Sequence, residues 1–222
     1  MQTKQQVVDA LNEITGGLSQ TTKMPESSFS TPAKHCKVGS KLREVEGSVC
    51  EKCYAMKGNY NYPNVMKAQQ RRYERLNHPL WVKAMTMLIY IKVKKRFRWF
   101  DSGDLEGVQQ LRNIIDVCNG TPNVQHWLVT KEKRTVRKFL DDGGVIPDNL
   151  VIQMSGYMVN GDKVKGFDDC QQITHHLVHS DRDKAQGHIC PVEDGKGFSS
   201  CEEANCFACW DRSVNVVTSG LH

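Results

Sequence analysis

The sequence predicts an α/β fold, a partial and open βα barrel, followed by a cysteine-rich metal-binding segment. From residue 96 onward, short aromatic and β-branched stretches alternate with segments whose apolar residues recur at helical spacing, as in parallel βαβ units. The chain has 222 residues, fewer than the about 250 typical of a closed eight-fold barrel. We therefore predict a partial barrel over residues 1–180, then a cysteine-rich segment with a closing strand over residues 181–222.

The N-terminal part is predicted to be mainly helical around a cysteine loop. An amphipathic helix is predicted within residues 1–14, and "SFSTPA" (28–33) indicates a short strand leading to Cys36. Two more helices are predicted at 64–78 and 79–95, because proline is tolerated in the first turn of a helix.

The alternating region supplies the predicted sheet. Asp104 is predicted to be the N-cap of the first helix in this region, since aspartate is favoured there. The predicted elements are strands at 96–101, 124–130, 149–159, 173–180 and 213–219, with helices at 102–118 and 131–144. Because parallel strands present their carboxyl ends at one edge, residues 101–104, Lys131 and Ser155 are expected to lie together there.

The composition indicates a globular cytoplasmic protein. The net charge is +5 and is concentrated in basic runs at 69–78, 91–100 and 130–138. Such runs could bind nucleic acid, but solvated helix faces explain each run taken alone. The sequence contains no apolar stretch of membrane-spanning length and no signal-peptide core, so we expect no membrane partner. It also contains no P-loop and no G-x-G-x-x-G, so no nucleotide-cofactor motif is found.

The first cysteine group has the spacing C-x13-C-x2-C and consists of Cys36, Cys50 and Cys53. Without a secretion signal, clustered cysteines bind metal more often than they form disulfides. A closed zinc site needs four ligands, so three cysteines suit a [4Fe–4S] cluster that leaves one iron open. His35 could instead complete a zinc site.

The second cysteine group has four members and could hold a metal by itself. It consists of Cys190, Cys201, Cys206 and Cys209, and its inner C-x4-C-x2-C matches one ferredoxin spacing. Zinc remains an equal alternative to a second iron–sulfur cluster here. A bound metal would supply folding energy to a segment with little apolar material. A third possibility is one cluster shared between the two groups.

The remaining cysteines, the histidines within residues 173–180 and His188 are not predicted to be ligands. Cys118 falls on the apolar face of a predicted helix and is expected in the core, while Cys170 has no assigned role. In the strand predicted at 173–180, His175 and His179 share one face and His176 points the other way.

Several motifs in their order along the chain resemble the gene product 88 family of phage proteins. These motifs are "TTKMPESSFSTPAKHC", "VCEKCYAMKGNY", "FRWFDSGDL", "HWLVTK" and "CFACWD". The resemblance covers nearly the whole chain. It implies a phage-encoded iron–sulfur protein in the cytoplasm of a bacterial host.

The layout is also similar to that of radical S-adenosylmethionine (SAM) enzymes, in which a three-cysteine cluster binds SAM and cleaves it to a 5′-deoxyadenosyl radical. This similarity implies that Ser102, Gly103 and Asp104 receive the SAM amino group. It further implies that Lys131 or Ser155 contacts the SAM carboxylate or ribose. Those enzymes usually have C-x3-C-x2-C and a proline in the turn, and this sequence has neither.

Two functions are therefore expected from the sequence. The first is a radical-SAM-like enzyme with a [4Fe–4S] cluster, a second cluster or zinc, SAM and an external electron donor. The alternative is a non-enzymatic iron–sulfur or zinc protein that transfers electrons or binds nucleic acid.

Overall fold

The computed structural model describes residues 3–193 and 197–221. Its helices are α1 Lys4–Thr15, α2 Lys37–Leu42, α3 Pro63–Arg75, α4 Trp81–Lys92, α5 Val108–Asn119 and α6 Lys133–Asp141. Its strands are β1 Ser19–Gln20, β2 Ser27–Phe29, β3 Arg96–Trp99, β4 Gln125–Thr130, β5 Leu150–Ser155, β6 Ile173–His179, β7 His188–Ile189 and β8 Val216–Gly220.

These strands form one open, mostly parallel sheet in the order β1-β2-β3-β4-β5-β6-β8-β7. Only β1 runs antiparallel to its neighbour; every other pair is parallel. The α/β class and the alternation predicted from residue 96 are thus confirmed. The last predicted strand forms β8, which lies between β6 and the two-residue strand β7.

One face of the sheet, which we call the helix face, packs against α4, α5 and α6 and forms the main core. Phe97 and Trp99 on β3 are fully buried there, with ring centroids 4.8 Å apart. Cys118 on α5 is fully buried in the same cluster, so its predicted place in the core is confirmed. Burial of these aromatic and aliphatic side chains is the main force that holds the sheet to its helices.

The opposite face, which we call the cavity face, carries the alternate residues of the same strands, because strand side chains point to the two sides in turn. It includes Arg98 on β3 and Trp127 on β4, which are paired across the strands. The C-terminal segment covers part of this face. The ring of Trp210 lies 5.2 Å from that of Trp127, and the guanidinium of Arg96 lies 3.6 Å above the Phe207 ring.

The start of α5 differs from the prediction. The helix begins at Val108, with Gly107 as its N-cap residue, so the predicted N-cap role of Asp104 is wrong. Asp104 instead binds backbone and side-chain donors at the end of β4. A buried carboxylate accepts hydrogen bonds from whichever donors lie near it. For Asp104 these donors include groups at the end of β4, and not the backbone nitrogens of the first turn of α5.

No helix in residues 3–193 and 197–221 is long and apolar enough to cross a membrane.

Asn149 provides a test of how the sheet is held together. Its buried amide nitrogen lies 2.9–3.0 Å from the carbonyl oxygens of Cys118, Thr121 and Val124, between α5 and β4. The Asn149→Ala variant should lose about 1–3 kcal/mol of unfolding free energy, because buried carbonyls lose their donor. Urea denaturation of this variant and of Asn113→Ala, on the partly exposed side of α5, would measure the loss. An equal effect of the two substitutions would contradict the assigned role.

A thiol-lined candidate site at the carboxyl ends of the strands

A cavity of about 810 Å³ lies at the carboxyl ends of the parallel strands, where open α/β sheets generally bind ligands. Members of both cysteine groups line it: Cys36, Cys50 and Cys53 from the first, and Cys190, Cys201 and Cys209 from the second. The five residues predicted to contact a cofactor also line it: Ser102, Gly103, Asp104, Lys131 and Ser155. The fold thus brings together residues that are far apart in the sequence.

The first cysteine group is held by short helices around Gly39. Cys36 immediately precedes α2, and Cys53 immediately precedes a 3₁₀ helix at Tyr54–Met56. A β-carbon added to Gly39 would lie 3.6 Å from the Cys50 sulfur and 3.8 Å from the Cys36 sulfur. The glycine therefore keeps a side chain out of contact with two of the three thiols.

The thiols of this group affect one another electrostatically. Burial raises the pKa of Cys36 far above its ordinary value, and Asp104, Cys53 and Cys50 add to this effect. Burial also raises the pKa of Cys50, which Lys131 opposes. Without a bound metal these two cysteines are therefore protonated thiols at neutral pH, and a metal would bind with release of protons.

Asp104 connects the ends of β3 and β4. Its carboxylate accepts hydrogen bonds from the backbone nitrogens of Leu105 (2.7 Å) and Lys131 (2.9 Å) and from the Thr130 hydroxyl. Burial raises the pKa of Asp104 to about 6, although these three bonds favour the ionised form. Its bonds fix the backbone from which the Lys131 side chain enters the cavity.

The Lys131 ammonium connects the next pair of strand ends. It donates to the Ser155 hydroxyl and, over 2.8 Å, to the Gly156 carbonyl oxygen. Burial lowers the pKa of Lys131, while Cys50, Asp104 and the other two thiols of the first group raise it. The ammonium would therefore stabilise thiolates, or a negatively charged group bound to them.

The turn after β3 is bonded to the chain that leaves β2. The Ser102 hydroxyl donates to the Thr31 carbonyl oxygen at 3.0 Å, and the Thr31 backbone nitrogen donates to the Ser102 carbonyl oxygen at 2.9 Å. Gly103 has φ +84°, and a β-carbon there would lie 2.8 Å from the Thr31 carbonyl oxygen. This turn accepts only glycine without a shift of the backbone.

The four thiols of the second group also lie close together. Burial raises the pKa of Cys209, and Cys190, Cys201 and Cys206 raise it further. The segment is joined to the sheet by a 2.8 Å bond from the Cys190 nitrogen to the Thr218 carbonyl oxygen. His188 was not predicted to take part, yet its Nε2 lies 3.1 Å from the Cys206 sulfur.

A polar patch that sequence reasoning missed also lines the cavity. Asp101 accepts hydrogen bonds from the Ser28 hydroxyl at 2.7 Å and from the Tyr60 hydroxyl at 3.3 Å. The Tyr54 hydroxyl donates to the Asp101 carbonyl oxygen at 2.7 Å, and Arg98 lies nearby. The two tyrosines occur in the conspicuous "CYAMKGNY" stretch, but nothing in the sequence pairs them with Asp101.

His35 and the three histidines of β6 take three different places. The His35 ring is stacked on Tyr73 at 4.2 Å and is not among the residues that line the cavity. His176 lines the cavity, and its Nε2 lies 3.0 Å from the Ser219 hydroxyl. His175 and His179 share the other side of β6, as predicted from strand alternation.

Within residues 3–193 and 197–221, no three Cys, His, Asp or Glu side chains are already arranged as they would be around a metal ion.

Fold and site together define a class: an open α/β sheet with a thiol-rich cavity at the carboxyl ends of its strands. The gene product 88 family model matches residues 3–214, so this chain belongs to that family of phage proteins. The family resemblance expected from the sequence motifs is thus confirmed. Comparison with curated proteins and with solved structures found no significant match.

Gly103 provides the first test of this site. Gly103→Ala should lower the unfolding free energy by about 1–3 kcal/mol more than Gly58→Ala, because only Gly103 faces a crowded neighbour. Gly58 also has positive φ, but a β-carbon there has no atom within 4 Å. Thermal or urea unfolding of both variants separates the close contact from backbone strain. Equal losses would show that contact with Thr31 is unimportant.

Asp104 provides the second test. Asp104→Asn should lower the unfolding free energy by about 1–3 kcal/mol. The Asp104 carboxylate accepts from three donors, whereas the asparagine NH₂ group would face at least one of these donors without accepting its hydrogen. The exposed Asp116→Asn is the matched control. The stability difference between wild type and Asp104→Asn should also depend on pH.

The sign of this dependence follows from the raised pKa. The folded protein holds the Asp104 proton up to about pH 6, whereas the unfolded chain releases it near pH 3.8. The wild type should therefore lose stability relative to Asp104→Asn as pH rises through this interval. Urea titrations of both proteins at several pH values measure the difference in unfolding free energy. If wild type gained stability relative to Asp104→Asn as the pH rose, the assigned burial of Asp104 would be contradicted.

Proposed function

We propose that this protein is a radical-SAM-like iron–sulfur enzyme whose [4Fe–4S] cluster is held by Cys36, Cys50 and Cys53. One observation carries the proposal: three thiols converge at the carboxyl ends of parallel strands, beside a cavity of about 810 Å³. That volume is within the range of small-molecule sites, about 300–1,000 Å³.

The residues present fit such a cluster. Three thiols supply three ligands, so one iron remains available to another molecule. Gly39 leaves space beside the sulfurs, since a side chain there would contact both Cys36 and Cys50. Lys131 is more than nine-tenths buried and supplies a positive charge beside the thiols. This proposal depends on the three thiols lying beside one cavity, since no ligand group is preformed within residues 3–193 and 197–221.

A bound cluster with an open iron would supply one electron to SAM. The chain's own residues would bind and orient SAM around it. The Ser102–Asp104 turn would lie near the amino group, as the similarity to radical SAM enzymes implies. Lys131 and Ser155 would lie near the carboxylate or ribose, and the Lys131 ammonium would offset negative charge on either the thiolates or the SAM carboxylate.

The second group, Cys190, Cys201, Cys206 and Cys209, is proposed to hold an auxiliary cluster or zinc. The thiols with the strongest effect on each of its buried cysteines belong to this same group. This pattern favours a separate centre over a cluster shared with the first group. A metal here would stabilise the segment that covers the cavity face, because the segment contributes few apolar residues to the core.

The basic runs give less support to nucleic-acid binding. Arg72 is buried and donates to the carbonyl oxygens of Gly17 and Leu18, each at 2.9 Å. Arg137 pairs with Asp169 at 2.9 Å. These arginines form hydrogen bonds and an ion pair with other parts of the same chain, so they are less available to contact the phosphates of a nucleic acid.

Anaerobic reconstitution with iron and sulfide tests the cluster. Wild type should give a brown protein with sulfur-to-iron absorption bands, and Cys53→Ser should lose the iron bound by the first group. Cys170→Ser should keep the wild-type iron content, since Cys170 packs against the core. If Cys53→Ser and Cys170→Ser retained equal iron, the ligand assignment would be wrong. Metal analysis showing only zinc would reject both cluster proposals.

Incubation with SAM and dithionite tests the activity. The reconstituted protein should form 5′-deoxyadenosine, and Cys53→Ser should form none under the same conditions. A cluster that forms no product and whose EPR signal does not change with SAM would reject the enzyme proposal. That result would favour the non-enzymatic alternative, an electron carrier.

A further inference from the structure

Arg98 is a partly buried arginine with an unusual position. It projects from the middle of β3 into the cavity, with its guanidinium 4.5 Å above the Trp127 ring. Stacking on an aromatic ring fixes the plane of a guanidinium and leaves its N–H edge directed outward.

The hydrogen-bonding capacity of Arg98 is largely unused. Its Nε is buried and has no hydrogen-bond partner in the described part of the chain. Its Nη1 donates to the Met24 sulfur at 3.6 Å, a weak acceptor. A further bond involves the Tyr54 hydroxyl. Among the ion pairs within residues 3–193 and 197–221, none includes Arg98.

Asp101, the nearby acid, already has other partners. Its two carboxylate oxygens accept from Ser28 and Tyr60. Asp101 therefore offsets the charge of Arg98 without pairing with its N–H edge. A partly buried guanidinium whose donors lack strong acceptors is stabilised when an anion binds to them.

We propose that Arg98 binds a carboxylate group of a small molecule in the part of the cavity between the two cysteine groups. The planar N–H edge of a guanidinium matches two carboxylate oxygens. A dianionic phosphate suits this place less, because the Asp101 carboxyl group also lines the cavity and, when ionised, would repel a second negative charge. The idea that this site holds the substrate of an enzyme rests on the function proposed above. The idea that Arg98 binds a carboxylate does not depend on that function.

Calorimetric titration of the full-length protein with three probes of similar shape tests the site. Benzoate carries the carboxylate, benzamide replaces it by a neutral amide, and phenyl phosphate carries a phosphate. Benzoate should bind wild type at least about tenfold more tightly than benzamide, as a charge-assisted bidentate pair implies. Absence of this preference would overturn the proposal. Tighter binding of phenyl phosphate than of benzoate would overturn the choice of carboxylate.

Variants then locate the binding. Arg98→Gln should abolish the preference for benzoate, and Arg98→Lys, which keeps a charge and most of the stem, should weaken benzoate about tenfold. Arg96→Gln is the matched control: Arg96 lies two residues earlier on the same face, stacks on Phe207 and does not line the cavity. Unchanged benzoate binding by Arg98→Gln would overturn the proposal.

Iron content separates this proposal from the cluster proposal. After reconstitution, Arg98→Gln should bind as much iron as wild type. If it lost iron, Arg98 would be an electrostatic partner of a cysteine group, and the carboxylate site would be overturned while the cluster proposal stood. Wild type that binds benzoate but no iron would reject the cluster and leave the carboxylate site in place.

Discussion

The carboxylate of Asp104 is the junction on which the geometry of the cavity depends. It bonds the turn after β3 to the Thr130 hydroxyl and the Lys131 nitrogen at the end of β4. Lys131 then reaches Ser155 at the end of β5. Three adjacent strand ends are thereby connected by polar contacts within a buried region, where each bond is stronger and each missing partner more costly than in water.

Two cations, the buried Lys131 and the partly buried Arg98, face the cavity from different positions. Lys131 lies beside the first cysteine group, and Arg98 lies between the two groups. Removing a cation from water is unfavourable unless a negative partner compensates for it. Thiolates coordinated to a metal, and an anionic ligand, would supply such partners if the two proposals above hold.

The sequence predicted the repeating elements better than the site. Strands β3 to β6 and helices α5 and α6 were predictable because their apolar residues keep a regular period. Asp104 was misassigned because a carboxylate that caps a helix and one that binds a neighbouring strand look alike in sequence. The alternation in "RFRW" predicts two faces for β3, but not that Arg98 faces a cavity. Proximity of Cys36 to Asp104, or of Cys209 to Arg98, depends on tertiary packing, which no local pattern encodes.

The central claim is that Cys36, Cys50 and Cys53 hold a [4Fe–4S] cluster with one open iron. Mössbauer spectroscopy of protein reconstituted with ⁵⁷Fe, with and without SAM, tests it most directly. The account predicts a [4Fe–4S] spectrum that Cys53→Ser diminishes, and a change at a single iron of that cluster when SAM is added. A spectrum without any [4Fe–4S] component, or one unaffected by Cys53→Ser, would contradict it.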